Sequence, residues 1–163
     1  MIKDSGIYVA QNTESNLNNN VGQFSSCTIG NNIMLGTDGM HSDMLRAAKA
    51  TFYNGQLRDT INYEQAYKRF RNIHNYINTN EFKGDGENNL VVLDYEPQTD
   101  FNQSNFLGHF LFGWDSTNIE HVIANGRLIV NNKQVTTIDE QALKQHAREM
   151  SKILWDKMHT VAV

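Results

Sequence analysis

The stretch Leu35-Gly36-Thr37-Asp38-Gly39 decides the fold class, because a buried strand ends there and a tight turn follows. The apolar run before it, Ile33-Met34-Leu35, is short and continuous, which is typical of a buried strand. Ile7-Tyr8-Val9-Ala10 has the same character and comes about one strand-and-helix step earlier. Asp43 then begins a predicted helix whose apolar side chains fall on one face. The order predicts an α/β fold.

A second helix is predicted from Asn62 to Ile77, because apolar and aromatic side chains recur there every three or four residues. Asn62 and Gln65 resemble a capping pair at its start. Between the two strands, the polar segment from Gln11 to Asn20 has the composition of a loop. The aromatic and glycine-rich segment from Asn105 to Trp114 shows neither a helical nor a strand period.

The second half of the chain predicts a strand followed by a three-stranded antiparallel meander. Leu90 to Asp94 is the clearest strand. Ile119 to Ala124 and Arg127 to Val130 flank Asn125-Gly126, which is the strongest short hairpin signal. A further turn leads to Lys133 to Thr136. These segments predict a small antiparallel sheet.

The last segment predicts a long amphipathic helix. Thr137-x-x-Glu140 has the form of a capping box at its start. An apolar stripe follows at helical spacing, and it is expected to be buried. Its members are Leu143, Ala147, Met150, Leu154 and Met158.

The composition indicates one ordinary soluble domain. The chain has 163 residues, with 14 basic against 18 acidic side chains and a net charge of −4. This balance argues against a nucleic-acid partner, which requires a basic face. Cys27 is the single cysteine, so no intrachain disulfide is possible. No apolar run reaches the roughly 18 residues of a membrane span. We therefore expect no membrane association and a cytoplasmic location.

Asp38 is the residue with the clearest chemical potential. In a β/α barrel, side chains at the carboxyl ends of strands reach the active site, and Asp38 follows such an end. A carboxylate there can bind a metal ion and accept a proton from metal-bound water. The alternative is structural, because Asp before Gly is also ordinary turn chemistry.

Three ordered motifs resemble one enzyme family. They are Asn12-Thr13-Glu14-Ser15-Asn16-Leu17-Asn18-Asn19, Gly36-Thr37-Asp38-Gly39 with Ser42-Asp43-Met44, and Gly86-x-x-Asn89 leading into Leu90 to Asp94. The run from Leu107 to Gly113 adds a fourth similar stretch. Together they resemble the aminohydrolase and chlorohydrolase branch of the amidohydrolase superfamily, and most closely the aminohydrolases associated with selenium metabolism.

The resemblance implies an architecture. The chain would hold the C-terminal segment of a (β/α)₈ TIM barrel, with Ile7–Ala10 as strand seven and Ile33–Leu35 as strand eight. It would also hold the C-terminal part of a small β-sandwich domain and a closing helix. The implied domain limits are residues 1–80 for the barrel part, 81–136 for the sandwich part and 137–163 for the C-terminal helix.

The resemblance also implies a site. Asp38 matches the family's metal-ligand aspartate, which also handles protons during water attack. Asn16 and His41 are the expected substrate-binding residues, with a surface loop position as the alternative for His41. The parent enzyme would bind a divalent metal, zinc or iron, and a small heterocyclic substrate, and would hydrolyse a non-peptide C–N bond, most simply by deamination.

The histidines depart from the family pattern. The family's metal is held mainly by histidines, including a His-x-His pair, and this chain has 6 histidines without such a pair. Zinc and iron require at least three good ligands, and Asp38 alone does not make a site. Thr13 and Gln11 also differ from the residues of many relatives. We therefore expect no metal bound by this chain alone.

Three hypotheses remain open. The first is a C-terminal fragment of a metal-dependent amidohydrolase that is inactive alone; the position of Met1 just before strand seven is the reason to expect a truncated, split or expressed fragment. The second is a non-catalytic remnant or subunit that acts by self-association, as a homo-oligomer, or by complementation with a separate N-terminal half. The third is an unrelated stand-alone α/β binding domain, for which non-adjacent strands seven and eight would be the evidence.

Overall fold

The computed structural model describes residues 2–22, 24–27, 29–84, 86 and 88–161, so Met1, which bears on the fragment hypothesis, lies outside it. Two compact units are present. The first comprises Met1–Gly86 and Asp94–Asn118, and the second comprises Glu87–Leu93 and Ile119–Val163. The domain limits implied by the resemblance, near residues 80 and 136, stay predictions.

The elements follow one another in an α/β order and then a β-rich order. In chain order they are β1 (Val9–Gln11), α1 (Thr13–Asn18), β2 (Ile33–Leu35), α2 (Met44–Arg58), α3 (Tyr63–Thr79), β3 (Leu90–Leu93), α4 (Phe106–Gly108), a π-helix (His109–Gly113), a 3-10 turn (Ser116–Asn118), β4 (Ile119–Ala124), β5 (Arg127–Asn131), β6 (Gln134–Val135) and α5 (Glu140–Val161).

The first unit contains a two-stranded parallel sheet. β1 pairs with β2 in parallel, with Val9 opposite Ile33 and Gln11 opposite Leu35. Ile33 and Leu35 are buried, as their uniform apolar character predicts. The predicted α/β class is therefore correct, and the evidence that would have favoured an unrelated domain is not found. Assignment of this pair to a barrel stays a proposal.

Two helices begin where the sequence predicts. The Asp43 side chain caps α2 by accepting a hydrogen bond from the Arg46 N–H. At α3, Asn62 and Gln65 form a reciprocal capping box. These caps fix where α2 and α3 start beside the parallel strands. The helices and β2 enclose a core with the π-helix, made of Leu35, Ala48, Phe52, Ile61, Ala66, Phe110 and Leu111.

The sequence predicts a loop from Gln11 to Asn20, and this prediction is wrong for most of the segment. The segment contains the end of β1 and all of α1. Its composition hides the helix, since α1 buries polar side chains and not an apolar stripe. Thr13 and Ser15 are its buried residues, and both hydrogen-bond to other side chains. Hydrogen bonding thus replaces the apolar periodicity that normally reveals a helix.

The segment from Asn105 to Trp114 folds into α4 and the π-helix. The Trp114 N–H donates to the His109 carbonyl five residues earlier, at 2.9 Å. A π-helix has a wider turn than an α-helix, so its buried side chains do not follow the usual spacing. The buried residues of this segment are the neighbours Phe110 and Leu111, which explains the missing period.

The second unit contains a four-stranded antiparallel sheet in the order β3-β4-β5-β6. Asn125 and Gly126 connect β4 to β5 and have φ values of 50° and 73°. Two successive positive φ values are what a type I′ hairpin turn requires, and Asn-Gly tolerates them. The predicted meander is confirmed. The sheet is a single layer, and its assignment to a sandwich stays a proposal.

The start of α5 and the burial of its stripe were both predicted wrongly. Asp139 caps the helix, because its carboxylate accepts a hydrogen bond from the Ala142 N–H at 3.0 Å, and Thr137 does not. Leu154 remains 55% exposed and Met150 49% exposed. Periodicity shows which face of a helix is apolar, but it does not supply the surface that covers it.

Candidate functional site at the carboxyl edge of the parallel strands

The candidate site lies where β1 and β2 end. α1 follows β1 after one residue, and residues 36–43 link β2 to α2. Because the two strands are parallel, both segments leave the same edge of the sheet. Ser15 of α1 bonds to Asp38 of the link across this edge. A separate side-chain network joins Glu14 of α1 to His41 of the link and Arg46 of α2.

Asp38 is exposed to solvent but is held by a buried neighbour. Its Oδ2 accepts a hydrogen bond from the Ser15 hydroxyl at 2.7 Å, and Ser15 is only 5% exposed. The Asp38 backbone has a φ of 53°, in the left-handed region that non-glycine residues seldom adopt. The site thus presents a carboxylate with a defined direction on an unusual backbone.

His41 is partly buried and uses both ring nitrogens. Its Nδ1 accepts a hydrogen bond from the Asp43 N–H at 3.0 Å, and its Nε2 lies 2.6 Å from Glu14 Oε2. Because Nδ1 accepts, the neutral ring carries its proton on Nε2 and donates it to Glu14. His41 is therefore tied to the network and is not the freely solvated loop histidine of the alternative hypothesis.

Glu14 is the centre of the network. Its Oε1 accepts two hydrogen bonds from Arg46, from Nε at 2.9 Å and from Nη2 at 2.7 Å. Burial raises the pKa of Glu14, but the hydrogen bonds from Arg46 and His41, together with the positive charge of Arg46, outweigh it and lower that pKa below 4.5. Glu14 is thus held as a carboxylate that joins α1, the link and α2.

Asp43 is a second carboxylate with a lowered pKa at this edge. Burial raises its pKa, but the backbone N–H of Arg46 and the Ser116 hydroxyl hydrogen-bond to it and bring the pKa below 3.8. Its position at the N-terminus of α2 adds the favourable helix dipole. Asp43 therefore anchors the end of the link that carries Asp38 and His41.

The three site residues predicted from the sequence differ in their contacts. Asp38 and His41 are both held by α1, through Ser15 and Glu14 respectively. Asn16 also lies on α1 and is half-buried, but its side chain forms no hydrogen bond with the residues that the structure describes. The catalytic, metal-binding and substrate-binding roles of these residues stay predictions.

Sequence reasoning missed Glu14, Ser15 and Arg46. Glu14 and Ser15 belong to the Asn-x-Glu-Ser-Asn motif, and this motif is the signal that could have indicated them. Arg46 gives no local signal, because its partner Glu14 is 32 residues away in sequence.

The described residues do not fit a zinc or iron site by themselves. Within the described ranges, no group of three or more His, Cys, Asp or Glu side chains is placed to hold a metal ion, and zinc requires three or four such ligands. His41 cannot join Asp38 as a ligand without losing one of its two hydrogen bonds. Asp38 offers one carboxylate and no complete donor set.

One open cavity lies away from this edge. Its volume is about 490 Å³, and it is lined by the end of α2, the start of α3 and Leu107. Neither Asp38, Asn16 nor His41 lines it. Its lining combines the aromatic side chains of Phe52 and Tyr63 with polar residues such as Gln56. We therefore place the candidate site at the strand edge.

His109, in the aromatic segment, packs locally. The Tyr95 hydroxyl lies 2.6 Å from its Nδ1, and the Phe101 ring lies against it at 5.3 Å between centroids. Its environment is a cluster of aromatic rings, so His109 contributes to packing and not to the strand-edge site.

No known protein-family profile matches the sequence. The chain is 25% identical over 164 aligned positions to 5-methylthioadenosine/S-adenosylhomocysteine deaminase of Dictyoglomus thermophilum. The match covers 91% of this chain but 38% of that protein, so the chain spans less than two fifths of the relative's length. This likeness supports the amidohydrolase superfamily and does not distinguish its branches. In the part of the chain that the structure describes, no helix has the length and apolarity needed to cross a membrane.

Proposed function

We propose that this chain is the C-terminal part of a metal-dependent amidohydrolase that hydrolyses a non-peptide C–N bond, with deamination of a heterocycle as its reaction. The observation that carries the proposal is a carboxylate, Asp38, held at the carboxyl edge of a parallel strand pair. It occurs in a chain of which 91% aligns with a deaminase. The motifs favour the aminohydrolase and chlorohydrolase branch.

In this proposal, Asp38 is one metal ligand and the group that handles the proton of the attacking water. The divalent metal, zinc or iron, takes its remaining ligands from chain outside these residues, because the described side chains do not complete a site. Asn16, with an uncommitted amide, and His41 face the substrate. For His41 to bind substrate, its hydrogen bond to Glu14 or to the Asp43 N–H has to be replaced.

Complementation tests the proposal directly. The chain would be co-produced with the part of the Dictyoglomus thermophilum deaminase outside the matched region, supplied with zinc or iron. Ammonia release would be measured from 5-methylthioadenosine, S-adenosylhomocysteine and a panel of purines, pyrimidines and triazines. We expect activity from the pair and from neither part alone.

Variants of the chain then separate the role of Asp38 from general damage. Asp38→Ala should lower activity by more than a hundredfold, because a lost metal ligand or proton-transfer group costs at least that much. Asp100→Ala removes another exposed carboxylate of the same unit and should leave activity unchanged. A reconstituted enzyme that keeps full activity with Asp38→Ala would refute the assignment.

A second candidate function is a non-catalytic subunit that self-associates. The observation in its favour is the exposed apolar stripe of α5, which includes Leu143, Met150 and Leu154. Sedimentation over a hundredfold range of concentration tests it. Self-association that Leu154→Lys abolishes supports this candidate, while Gln145→Lys adds the same charge on the opposite face and should have no effect. A monomer at all concentrations would eliminate a homo-oligomer.

A further inference from the structure

An exposed aspartate normally samples several side-chain rotamers, but Asp38 has a partner that restricts it. Ser15 lies 23 residues earlier, on α1, and its hydroxyl donates to Asp38 Oδ2 at 2.7 Å. This is the short distance typical of an O–H donor and a carboxylate. Because Ser15 is buried, its own position is fixed by the packing of α1.

A series of hydrogen bonds sets the direction of the Ser15 hydroxyl. The Asn19 Nδ2 donates to Ser15 Oγ at 3.2 Å, and Asn18 Nδ2 donates to Asn19 Oδ1 at 3.3 Å. The second bond fixes which end of the Asn19 amide faces Ser15. Since Ser15 Oγ accepts from Asn19, its single proton is available for Asp38. The donor-to-acceptor direction is therefore the same in all three bonds, and the series ends at the Asp38 carboxylate.

The backbone contributes a second restriction. Asp38 is held in the left-handed region, at a φ of 53°, and such residues persist where surrounding contacts determine them. The Thr37 hydroxyl also bonds to the Asp38 carbonyl, at 3.3 Å. Backbone and side chain are thus both restrained, while Asp38 Oδ1 has no hydrogen bond to any residue in the described ranges.

We propose that Ser15 is a positioning residue that holds Asp38 Oδ2 and leaves Oδ1 as the one oxygen presented at the strand edge. The chemical meaning of this arrangement rests on the proposed function, in which that oxygen is the one available to a metal ion or a proton. Asn19 supports Ser15. The motif residues Ser15 and Asn19 therefore act on Asp38.

The test is a side-chain rotamer measurement on the full 163-residue chain by NMR. Three-bond couplings from Asp38 Cγ to its amide nitrogen and carbonyl carbon report the χ1 rotamer. We expect a single dominant rotamer in the unsubstituted chain and a mixture in Ser15→Ala. The ratio of the dominant to the other rotamers should fall on the order of tenfold, as expected for loss of a hydrogen bond to a charged group.

Two further variants separate positioning from general stability. Ser15→Thr keeps a hydroxyl and should restore the dominant rotamer. Thr37→Val removes the neighbouring hydroxyl without touching Oδ2 and should leave the rotamer unchanged. If Asp38 keeps one rotamer in a folded Ser15→Ala chain, the proposal is overturned. If Ser15→Ala fails to fold, averaged couplings in the unsubstituted chain overturn it equally.

This experiment is independent of the proposed enzymatic activity. The couplings need neither a metal ion nor the rest of the enzyme, so failed complementation does not alter their interpretation. Conversely, an averaged Asp38 rotamer would remove the role of Ser15 while leaving the effect of Asp38→Ala on ammonia release open to measurement.

Discussion

Replacing Arg69 by methionine should be one of the most damaging single substitutions in the first unit. Arg69 lies on α3 and is only 6% exposed. Its Nη2 pairs with Asp59 Oδ2 at 3.1 Å, and its Nη1 donates to Gln11 Oε1 at 2.9 Å. Gln11 Nε2 in turn donates a hydrogen bond to the Thr13 hydroxyl, which hydrogen-bonds with the Thr51 hydroxyl on α2. Methionine preserves much of the volume but removes the charge and both hydrogen bonds.

The magnitude follows from what remains buried. The Asp59 side chain is 1% exposed, so without Arg69 its carboxylate has neither water nor a positive charge. Breaking a buried ion pair in this way costs about 3–5 kcal/mol. The Ser26 N–H still bonds to Asp59 Oδ1 at 2.8 Å, which favours the lower part of that range. The unpaired Gln11 oxygen adds about 1 kcal/mol, giving about 4 kcal/mol in total.

Urea unfolding followed by Trp114 fluorescence, in a Trp155→Phe background, reports on this unit. Arg71→Met, an exposed position on the same helix, should change the free energy of unfolding by less than about 0.5 kcal/mol. Adding Asp59→Asn to Arg69→Met removes the stranded charge and should recover about 2 kcal/mol. The reasoning is refuted if Arg69→Met costs less than about 1 kcal/mol, or if the double variant is no more stable than Arg69→Met.

Two further predictions concern Glu14 and Gly55. Burial raises the pKa of Glu14, but Arg46 and His41 lower it below 4.5; the stability that the unsubstituted chain has over Glu14→Gln should therefore be full above pH 4.5 and shrink as the pH falls toward the folded-state pKa. Urea midpoints at pH 7 and pH 3 measure this, and an equal advantage at both would contradict it. Gly55→Ala places a Cβ 2.7 Å from Ile61 Cγ1 and should cost about 1–3 kcal/mol in thermal unfolding. Gly108→Ala, where nothing lies within 4 Å, is the matched control and should show no such loss.

Local signals predicted the elements whose cause is local. The Asn62 and Gln65 capping box and the Asn125-Gly126 turn are decided within four residues, and both occur as expected. α1 could not be predicted in the same way, because its buried Thr13 is satisfied by Thr51, 38 residues away. A polar segment acquires helical structure here through partners that only the folded chain provides.

The candidate site shows the same limit. Asp38 could be chosen because a strand end and flanking glycines mark it in the sequence. The contacts of Ser15 and Glu14, which hold Asp38 and His41, could not be predicted from the sequence. Glu14, for example, contacts His41 and Arg46 only after β1 and β2 pair in parallel. The α5 stripe is the opposite case. Its helical period is evident from the sequence, but whether the stripe is buried depends on a covering surface that periodicity does not describe.

The second unit has a thermodynamic consequence that follows from its exposure. Its sheet and its 22-residue helix α5 contain no buried side chain among the described residues. The heat capacity change of unfolding comes chiefly from apolar surface that becomes hydrated, and the denaturant dependence scales with newly exposed area. Its side chains are at most partly buried, so less new surface per residue appears when this unit loses its structure than when the first unit does. Its unfolding should therefore absorb less heat per residue and depend less steeply on denaturant.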